Sequence, residues 1–362
     1  RLRIVKYRGS LHGSDEYPFL IDETGFSLLP VTSLGLEYPV TTERVSSGLP
    51  QLDALLGGGG YYRGNSVLIS GTAGTGKTSL ACYFVDTTCR RGESCLFFAM
   101  EESQAQIIRN MRSIGLDLQP WVDKGLLRFY TARPTLYGLE MHLAMMHKMV
   151  KELQPRAVIM DPISNLGVVG TTGEIKSILM RMVDFFKMQG LTGVFTNLEH
   201  PSDMETTEVG VSSLMDTWLA VRNSENNGER NRTLYVLKSR GMAHSNQVRE
   251  FVLSGQGLDL VDVYTGPGSV LTGSARLQQE AKERGEKVAA DQESARRRRL
   301  LERKRRVLEA QIAALEAELA GEEEDLKLLV SQEERRLEVL REDRSRVATL
   351  RQADQGEPVK GE

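Results

Sequence analysis

The stretch Gly71-Thr-Ala-Gly-Thr-Gly-Lys-Thr78 matches the pattern G-x-x-x-x-G-K-[ST] and decides the fold. The apolar run 66–70 before it is typical of a short strand, and the run that begins at Ser79 is typical of a helix. The glycines let backbone N–H groups turn towards a phosphate, and the helix N-terminus adds partial positive charge. This context predicts a P-loop, in which Lys77 neutralises terminal phosphates and the Thr78 hydroxyl ligates Mg²⁺.

Outward from this loop, short apolar runs alternate with amphipathic helical stretches over residues 44–260. Such alternation predicts an α/β fold with a mostly parallel, twisted sheet that is covered on both faces. The predicted strands are 66–70, 95–100, 127–131, 157–161, 193–197, 217–222, 232–238 and 248–253, and the predicted helices are 77–89, 104–114, 137–153 and 172–189.

Carboxylates end two of the predicted strands. Asp161 closes the run 157–161, where a Walker B aspartate reaches the water shell of a bound metal. Glu101 and Glu102 follow the run 95–100, and adjacent side chains point to different sides, so one can approach the metal or nucleophile while the other is held elsewhere. A carboxylate there can act as a general base for water or a hydroxyl. The alternative in both cases is a solvated strand end.

Composition narrows the class of protein. The chain has 362 residues and a formal charge of 46 − 49 = −3, which argues against a generally basic nucleic-acid coat. No run of about 18 apolar residues occurs, so no transmembrane helix is expected. Cys82, Cys89 and Cys95 show no metal-ligand spacing and suit a reducing compartment. We therefore expect a cytoplasmic protein. His142 and His147 lie on a methionine-rich helical stripe, which indicates a packed core face rather than a metal site.

The C-terminal part has a different character, without proline from residue 276 to 351. Leucines recur every seven residues at 301, 308 and 315, and an interleaved set occupies 312, 319 and 326. This a/d pattern predicts a coiled coil over 276–352, with a slip near Gly321, after a connecting segment 263–275 and before a disordered tail 353–362. The alternatives are a solitary charged helix or disorder throughout. The basic run 296–306 and the acidic run 316–325 can pair across an antiparallel seam, so nucleic-acid binding is not expected.

A repeated pattern, K-x-R-G-x-x-H, occurs at 6–12 and again at 238–244. Two copies about one domain apart indicate tandem duplication. We therefore expect residues 1–43 to be the tail of a preceding domain and a linker, and the natural chain to be longer. Lys238 and Arg240 alternate along a strand end and point to one side, so they can complete the site of a neighbouring subunit.

Together these residues resemble the KaiC family of circadian clock ATPases, specifically its second, autokinase half. The resemblance covers about residues 1–276. The motifs that carry it, in family order, are Arg44-Val-Ser-Ser-Gly-Leu-Pro-Gln-Leu-Asp53, the P-loop, Phe98-Ala-Met-Glu-Glu-Ser103, Phe195-Thr-Asn197, the 238–244 motif and Leu271-Thr-Gly-Ser-Ala-Arg276.

The resemblance implies a RecA-like ATPase domain at 44–262, in hexameric rings with ATP and Mg²⁺ at subunit interfaces. It implies autokinase and autophosphatase activity on Ser212 and Ser213, in the service of a circadian or timer-type clock. Glu101 is the favoured base, with Glu102 and Lys77 also catalytic, and Thr78, Glu101 and Asp161 hold the metal. The implied ATP-binding residues are Ala73, Gly74, Thr75, Gly76, Lys77, Thr78, Ser79, Ile114, Arg232, Lys238, Ser239, Arg240 and Gly241, of which Arg232, Lys238, Arg240 and Gly241 act from the adjacent subunit.

Departures from the family pattern modify these expectations. Ser213 stands where the family has threonine, so the order and rates of the two phosphorylations are open. Ile114 and Ala243 replace tryptophans, which predicts weaker stacking on the purine. The heptad segment replaces the short tail that receives KaiA, so we expect control by helix pairing, which joins two rings into a dodecamer, rather than by KaiA. A KaiB-like clock partner fits the resemblance.

Two other functions use the same P-loop. The first is a RecA-type DNA-handling ATPase, a recombinase or helicase accessory, that employs the basic run 296–306. The loops 168–173 and 199–205 carry almost no cations, which disfavours it. The second is an assembly ATPase without kinase activity, whose coiled coil docks partners.

Overall fold

The computed structural model describes residues 2–12, 16–17, 19–22, 25–28, 40–199, 211–226, 228–264, 266 and 270–350. These residues fall into two compact units, Arg1–Glu280 and Ala281–Glu362. The expected disordered tail, 353–362, lies outside the described residues.

The strands are β1 (Leu2–Arg3), β2 (Glu16–Tyr17), β3 (Phe19–Asp22), β4 (Gly25–Leu28), β5 (Arg44–Val45), β6 (Tyr61–Tyr62), β7 (Ser66–Gly71), β8 (Cys95–Ala99), β9 (Leu127–Thr131), β10 (Ala157–Asp161), β11 (Thr192–Leu198), β12 (Thr217–Asn226), β13 (Glu229–Ser239), β14 (Arg249–Ser254) and β15 (Gly257–Asp262). The helices are α1 (Pro50–Leu55), α2 (Lys77–Arg90), α3 (Gln104–Arg112), α4 (Gln119–Asp123), α5 (Leu139–Leu153), α6 (Thr172–Met188) and α7 (Gly273–Leu350).

A nine-stranded sheet organises the first unit, in the order β15-β14-β13-β12-β7-β11-β10-β8-β9. The six strands from β12 to β9 are parallel, and β13, β14 and β15 continue the sheet in antiparallel fashion. Parallel strands place their carboxyl ends at one edge, here called the carboxyl edge, and their starts at the opposite, amino edge. The predicted α/β fold with a mostly parallel sheet is confirmed.

Apolar layers cover both faces of the sheet. Along β10, Ile159 belongs to the cluster that packs around α2 and α3, whereas Val158 and Met160 belong to the cluster around α5 and α6. All three side chains are almost fully buried, because neighbouring strand residues point to opposite faces and each face carries helices. This rigid double-sided core fixes the ends of β7, β8, β10 and β11 relative to one another.

Two helices next to the site begin at capping boxes. The Ser103 hydroxyl accepts from the Gln106 N–H, and the Gln106 side chain accepts from the Ser103 N–H at the start of α3. Thr171 and Glu174 repeat the arrangement at the start of α6. Such reciprocal bonds satisfy N–H groups that a helix start leaves unpaired. Thr171 is therefore the N-cap of α6.

The two copies of the repeated motif share a local arrangement. β1 pairs antiparallel with β2 on either side of the first copy, with Leu2 opposite Tyr17. β13 and β14 pair antiparallel on either side of the second copy, with Arg232 opposite Phe251.

Helix α7 runs without a break for 78 residues, through Gly321 and past residue 280 into the second unit. At 1.5 Å per residue it measures about 120 Å. It begins at Gly273, so residues 273–275 of the expected connecting segment are helical. The heptad side chains remain at least half exposed, Leu301 at 59% and Leu315 at 64%. None of the helices in the described ranges combines the length and the apolar character that a bilayer crossing requires.

Candidate active site

The P-loop joins β7 to α2 at the carboxyl edge. Gly76 has φ +96°, and a Cβ there would come within 2.5 Å of the Phe251 ring, so only glycine fits this turn. Lys77 is buried, and its Nζ donates to the carbonyls of Gly71 and Thr72, both at 2.8 Å. Burial lowers the pKa of the Lys77 ammonium, although the nearby charges of Asp161, Glu199 and Glu101 act to raise it. The Lys77 ammonium is thus hydrogen-bonded to two carbonyl oxygens of the P-loop.

Asp161 lies at the end of β10, beside this loop. The Thr78 hydroxyl donates to its Oδ2 at 2.8 Å, and the Thr196 hydroxyl donates to its Oδ1. The Met100 N–H donates to the Asp161 carbonyl at 2.8 Å, which joins the ends of β8 and β10. Burial raises the pKa of the Asp161 carboxyl, while the two threonine bonds and Lys77 act to lower it. A cation at this corner would offset the cost of burying the carboxylate.

Glu101 and Glu102 follow β8 and turn to different surroundings. Glu102 accepts hydrogen bonds from the Asn110 side chain of α3, at 3.4 and 3.2 Å. The charge of Glu101 acts on both Lys77 and Asp161, where it works to raise the pKa of each group. Of the two carboxylates, Glu102 is therefore the one that α3 holds.

A second group of residues lies at the amino edge, in what we call the serine turn (residues 211–216). Ser212 is half-buried and Ser213 is exposed. Lys238 Nζ donates to the Ser212 carbonyl at 2.9 Å, and Arg240 Nη2 donates to the Ser213 carbonyl at 2.7 Å. Desolvation, together with the charges of Arg240 and Lys187, lowers the pKa of the Lys238 ammonium, and Asp216 opposes that effect.

Asp216 anchors the serine turn to the sheet. Its Oδ2 accepts from both the N–H and the hydroxyl of Ser66, at 3.0 and 2.9 Å, and its N–H donates to the Ser66 carbonyl at 2.9 Å. Lys187, at the end of α6, forms an ion pair with the same carboxylate at 3.0 Å. Because Ser66 begins β7 and Gly71 ends it, the serine turn and the P-loop lie at opposite edges of one sheet.

Sequence comparison relates this chain to known proteins. The sequence model of the family described as "ATPase: KaiC" matches residues 45–263, more than half of the chain. The chain belongs to the KaiC ATPase family. It is 55% identical over 281 residues to circadian clock protein KaiC2 of Synechocystis sp., which covers 77% of this chain and 50% of that protein.

Other relatives are more distant. The circadian clock oscillator protein KaiC of Picosynechococcus sp. is 34% identical over 275 residues, which cover 75% of this chain and 53% of that protein. That of Synechococcus elongatus is 32% identical, with 75% and 53% covered. The KaiC-family chain described here thus spans about half the length of the curated relatives it matches.

The structure divides the residues that the KaiC resemblance assigns to ATP. Residues 73–79 form the P-loop at the carboxyl edge, with Thr75 and Ser79 buried. Arg232 lies beside the same loop, since its Nε donates to the Gly74 carbonyl at 3.2 Å. Residues 238–241 lie at the amino edge, where the buried Ser239 shares a hydrogen bond with Thr217 at 3.1 Å.

Gly241 and Ile114 are the two remaining residues that the resemblance assigns to ATP. Gly241, with φ +74°, accepts a hydrogen bond from the Tyr62 hydroxyl at 3.2 Å, next to a cavity of about 610 Å³ that Arg240 also lines. Ile114 follows α3 and packs, half-buried, against the core cluster around α2. An isoleucine there is part of the packing rather than an exposed stacking surface.

Sequence reasoning missed two residues of the carboxyl edge. Thr196 bonds Asp161, and its only signal was its place in the Phe195-Thr-Asn197 motif. The Glu199 N–H donates to the Gly71 carbonyl at 3.1 Å, so this residue is fixed beside the loop, where its charge acts on Lys77. Nothing in the pattern around Glu199 distinguishes it from a loop carboxylate.

The residues at the carboxyl edge fit ATP and Mg²⁺. Mg²⁺ prefers hard oxygen ligands, and the Thr78 hydroxyl and the Asp161 carboxylate already meet there. Gly74 and Gly76 both have positive φ, which turns the backbone of the loop inward for a phosphate. Among the described residues no group of three or more His, Cys, Asp or Glu side chains could hold a metal ion.

Proposed function

We propose that this chain is an ATPase and serine autokinase that works in a hexameric ring, with ATP and Mg²⁺ bound between subunits. It transfers phosphate to Ser212 and Ser213 and removes it again, in timer-type regulation of the kind that the names of its relatives describe. The proposal places the protein in the cytoplasm, since Cys82, Cys89 and Cys95 are buried free thiols that suit a reducing compartment.

One observation carries the ATPase part of the proposal. The Thr78 hydroxyl and the Asp161 carboxylate are hydrogen-bonded at 2.8 Å beside the buried ammonium of Lys77. These are the groups that a P-loop site needs for the metal and for the terminal phosphates. The family membership of residues 45–263 supports the same conclusion independently of the geometry.

In the proposed mechanism each residue at the carboxyl edge has one task. Lys77 exchanges the carbonyls of Gly71 and Thr72 for phosphate oxygens. Thr78 and Asp161 would hold Mg²⁺, which would neutralise the charge that develops on the phosphates. Glu101 accepts the proton of the attacking hydroxyl or water, because its charge acts on Lys77 and Asp161 while Asn110 holds Glu102.

The position of the serines supports transfer between subunits. β7 has six residues, about 20 Å at about 3.3 Å per residue, and it separates the serine turn from the P-loop of the same chain. A chain therefore cannot present its own serines to its own nucleotide. Copies in head-to-tail contact bring the amino edge of one to the carboxyl edge of the next, and such heterologous contacts close into rings. Lys238, Arg240 and Gly241 then face the neighbour's nucleotide, while Arg232 serves its own.

Helix α7 extends the proposal beyond one ring. Its exposed leucine seam cannot be buried within the helix itself, so we propose that α7 helices of two rings pair and form a dodecamer. A KaiB-like clock partner fits this assembly. Control through KaiA is not expected, because the heptad segment occupies the place of the short tail that receives it.

A mixing experiment tests the proposal. A Lys77→Ala chain, which cannot bind the phosphates, and a Ser212→Ala/Ser213→Ala chain, which has no acceptor, are dissociated, mixed and reassembled with Mg·ATP. Neither variant alone should incorporate phosphate, and the mixture should recover a substantial fraction of the wild-type amount on the Lys77→Ala chain. Phosphosite mass spectrometry with one chain isotopically labelled measures it.

Other outcomes of the same experiment are equally informative. If the wild type hydrolyses ATP without modification of Ser212 or Ser213, the protein is an assembly ATPase and the kinase assignment is wrong. If the Lys77→Ala chain alone modifies its serines, nucleotide binding at this P-loop is not required.

A further inference from the structure

Two cationic side chains bind the serine turn, one at each serine. Lys238 binds the carbonyl of Ser212, and Arg240 binds the carbonyl of Ser213, at 2.9 and 2.7 Å. Lys238 lies near the end of β13, and Arg240 lies in the turn that follows it. The carbonyl of each potential acceptor thus has its own side-chain partner in the motif at 238–244.

The far end of the serine turn is fixed separately. Asp216 is buried and bonded to Ser66 and Lys187, and its carbonyl accepts from the Arg240 N–H at 2.8 Å. The turn closes on itself through a bond from the Leu214 N–H to the Val211 carbonyl at 2.9 Å. With Asp216 immobile, the orientation of the peptide groups at 212 and 213 depends on the two cations.

We infer that Lys238 positions Ser212, and Arg240 positions Ser213, for phosphate transfer, so that each cation determines the yield at one serine. The inference rests on the proposed autokinase function and deepens it. In that role the two residues do more than neutralise a neighbour's phosphate, because each also fixes the main chain that carries one hydroxyl.

The transfer itself is the same at both serines. The serine Oγ forms a bond to the γ-phosphorus of the neighbour's ATP, and the bond between that phosphorus and the β–γ bridging oxygen breaks, with its electron pair leaving on ADP. The hydroxyl proton passes to the carboxylate of the neighbour's Glu101. A displaced carbonyl turns the main chain at its own residue, so we expect it to misalign the hydroxyl of that residue more than that of the other serine, which makes the effect selective.

Selectivity separates positioning from a general catalytic role. Loss of a cation that only stabilises transferred charge lowers the modification of both serines equally. Loss of a positioning contact changes the ratio of phospho-Ser212 to phospho-Ser213. The two variants should change this ratio in opposite directions, which global destabilisation of the turn cannot produce.

The test uses the full chain with Mg·ATP in Lys238→Met and Arg240→Met variants. Initial rates at the two serines are measured by mass spectrometry against synthetic singly phosphorylated peptides. We expect the ratio of phospho-Ser212 to phospho-Ser213 to fall roughly fivefold in Lys238→Met and to rise about threefold in Arg240→Met, whose side chain is more exposed. Lys238→Arg, which keeps a donor, should return the ratio to within about twofold of the wild type.

The matched control is Arg230→Met. Arg230 lies on the same strand but is 65% exposed, and it forms only a loose pair with Glu225 at 3.8 Å, so its loss should leave the ratio unchanged. Circular dichroism and thermal unfolding report the folding of each variant. Should a methionine variant fail to fold, the corresponding glutamine variant, with a shorter polar side chain, carries the same expected shift.

The outcomes are distinguishable. Wild-type phosphorylation with an unchanged ratio in both variants, or a shift in the same direction in both, overturns this inference and leaves the proposed function intact. Absence of phosphate from both serines of the wild type overturns the proposed function and this inference together.

Discussion

At the scale of single residues, Glu101 and Glu102 show how a strand end separates two identical groups. They are adjacent in the chain, yet Asn110 binds one of them and the charge of the other acts on Lys77. The sequence predicted that the two would differ, and the assignment of Glu101 as the base came only from the family resemblance. The contact with Asn110 gives that assignment a physical reason.

This division predicts unequal effects of two substitutions. Glu101→Gln should lower both ATP hydrolysis and serine phosphorylation by about 10² to 10⁴-fold, since it removes the proton acceptor from the site. Glu102→Gln should lower them less than about tenfold, because a glutamine amide can still bond Asn110. Steady-state phosphate release and phosphosite mass spectrometry measure the two activities.

Nucleotide affinity is the control, and neither change should alter it more than about threefold, because Lys77 and the loop backbone remain. Equal losses in the two variants would show that both carboxylates are needed. A larger loss in Glu102→Gln would reverse the assignment.

The contacts of His147 were also not predictable from the sequence pattern. Its ring stacks on Phe185 with centroids 3.7 Å apart, and its Nε2 is buried without a hydrogen-bond partner. Burial, with help from the charges of Lys151 and Arg181, lowers the pKa of the His147 imidazole to about 4. The expectation that this histidine belongs to a packed face rather than a metal site agrees with these contacts.

The lowered pKa predicts a dependence of stability on pH. The unfolded chain binds a proton at His147 more tightly than the folded one, so stability falls as the pH drops through about 6.5 towards 4. His147→Phe should remove about 1 kcal/mol of the loss in unfolding free energy between pH 7 and pH 5, a figure discounted for partial exposure. Urea unfolding at the two pH values measures it.

His244→Gln is the control for this measurement, since His244 is exposed and should contribute little to the slope. Identical pH dependence in the wild type and in His147→Phe would mean that the imidazole is already solvated in the folded state.

At the scale of elements, the heptads of α7 favour one way of pairing. In an antiparallel pair of helices, a positions face d positions of the other helix. If the two helices cross at the point between Ala313 and Ala314, apolar residues face apolar residues and opposite charges meet in the seam. Arg305 then meets Glu322 of the second helix. A parallel pair in register would set Arg305 against its own copy. The apolar layers of the antiparallel pair are Leu301 with Leu326, Leu308 with Leu319, and Ile312 with Leu315.

In this arrangement Glu302 faces Glu323, and Glu309 faces Glu316, of the other helix. The repulsion between these glutamates destabilises the pair. Exposed like-charge pairs cost only a few tenths of a kcal/mol each, whereas like charges inside the seam cost several times more. Because α7 is unbroken through Gly321, its seam cannot pair within the helix, and we expect the partner to be another chain. The repulsion between exposed glutamates in the antiparallel pair is therefore smaller than the repulsion between seam charges in the parallel pair, and the antiparallel pair is favoured.

Charge exchange tests the orientation. Arg305→Glu and Glu322→Arg should each weaken helix pairing by roughly tenfold or more, and the double variant should restore it, because the opposite charges face each other again. Mass photometry of the full chain across a concentration series measures the pairing.

Arg305→Leu discriminates between orientations. It should weaken an antiparallel pair, where Glu322 loses its partner, and strengthen a parallel pair, where it relieves repulsion between two arginines. Strengthening would therefore contradict the antiparallel arrangement.

Strand direction explains most of what sequence could and could not predict. The parallel sheet, the P-loop and Asp161 were predictable because hydrophobic runs, glycine spacing and strand ends are local signals. Arg232 and Lys238 were grouped together, whereas they lie at opposite edges, because β13 runs antiparallel across the whole height of the sheet. Thr196 and Glu199 enter the site through the pairing of β11 with β7, a contact between segments more than 120 residues apart in the chain.

At the scale of the whole molecule, the second unit should govern particle size. Deletion of residues 281–362, which leaves the first compact unit intact, should halve the number of chains in the assembled particle and leave single rings. In the proposed assembly, contacts within a ring involve the edges of the sheet, whereas pairing of two rings involves α7. Native mass spectrometry with ATP measures both.

The charge-neutral variant Arg305→Glu/Glu322→Arg of the full chain is the control, since it keeps the helix and should keep the larger mass. An unchanged number of chains after deletion would remove α7 from ring pairing, and loss of the ring itself would mean that α7 also supports contacts within it.

The bonds from Lys77 to Gly71 and Thr72 have a consequence for the turnover cycle. A buried ammonium without partners would have to be rehydrated each time a product departs, which would open the loop. Here the carbonyls of Gly71 and Thr72 bind the ammonium, so the loop itself meets the hydrogen-bonding requirement of Lys77. In the proposed cycle, nucleotide exchange should therefore substitute one set of oxygens for another around Lys77 without refolding of the loop.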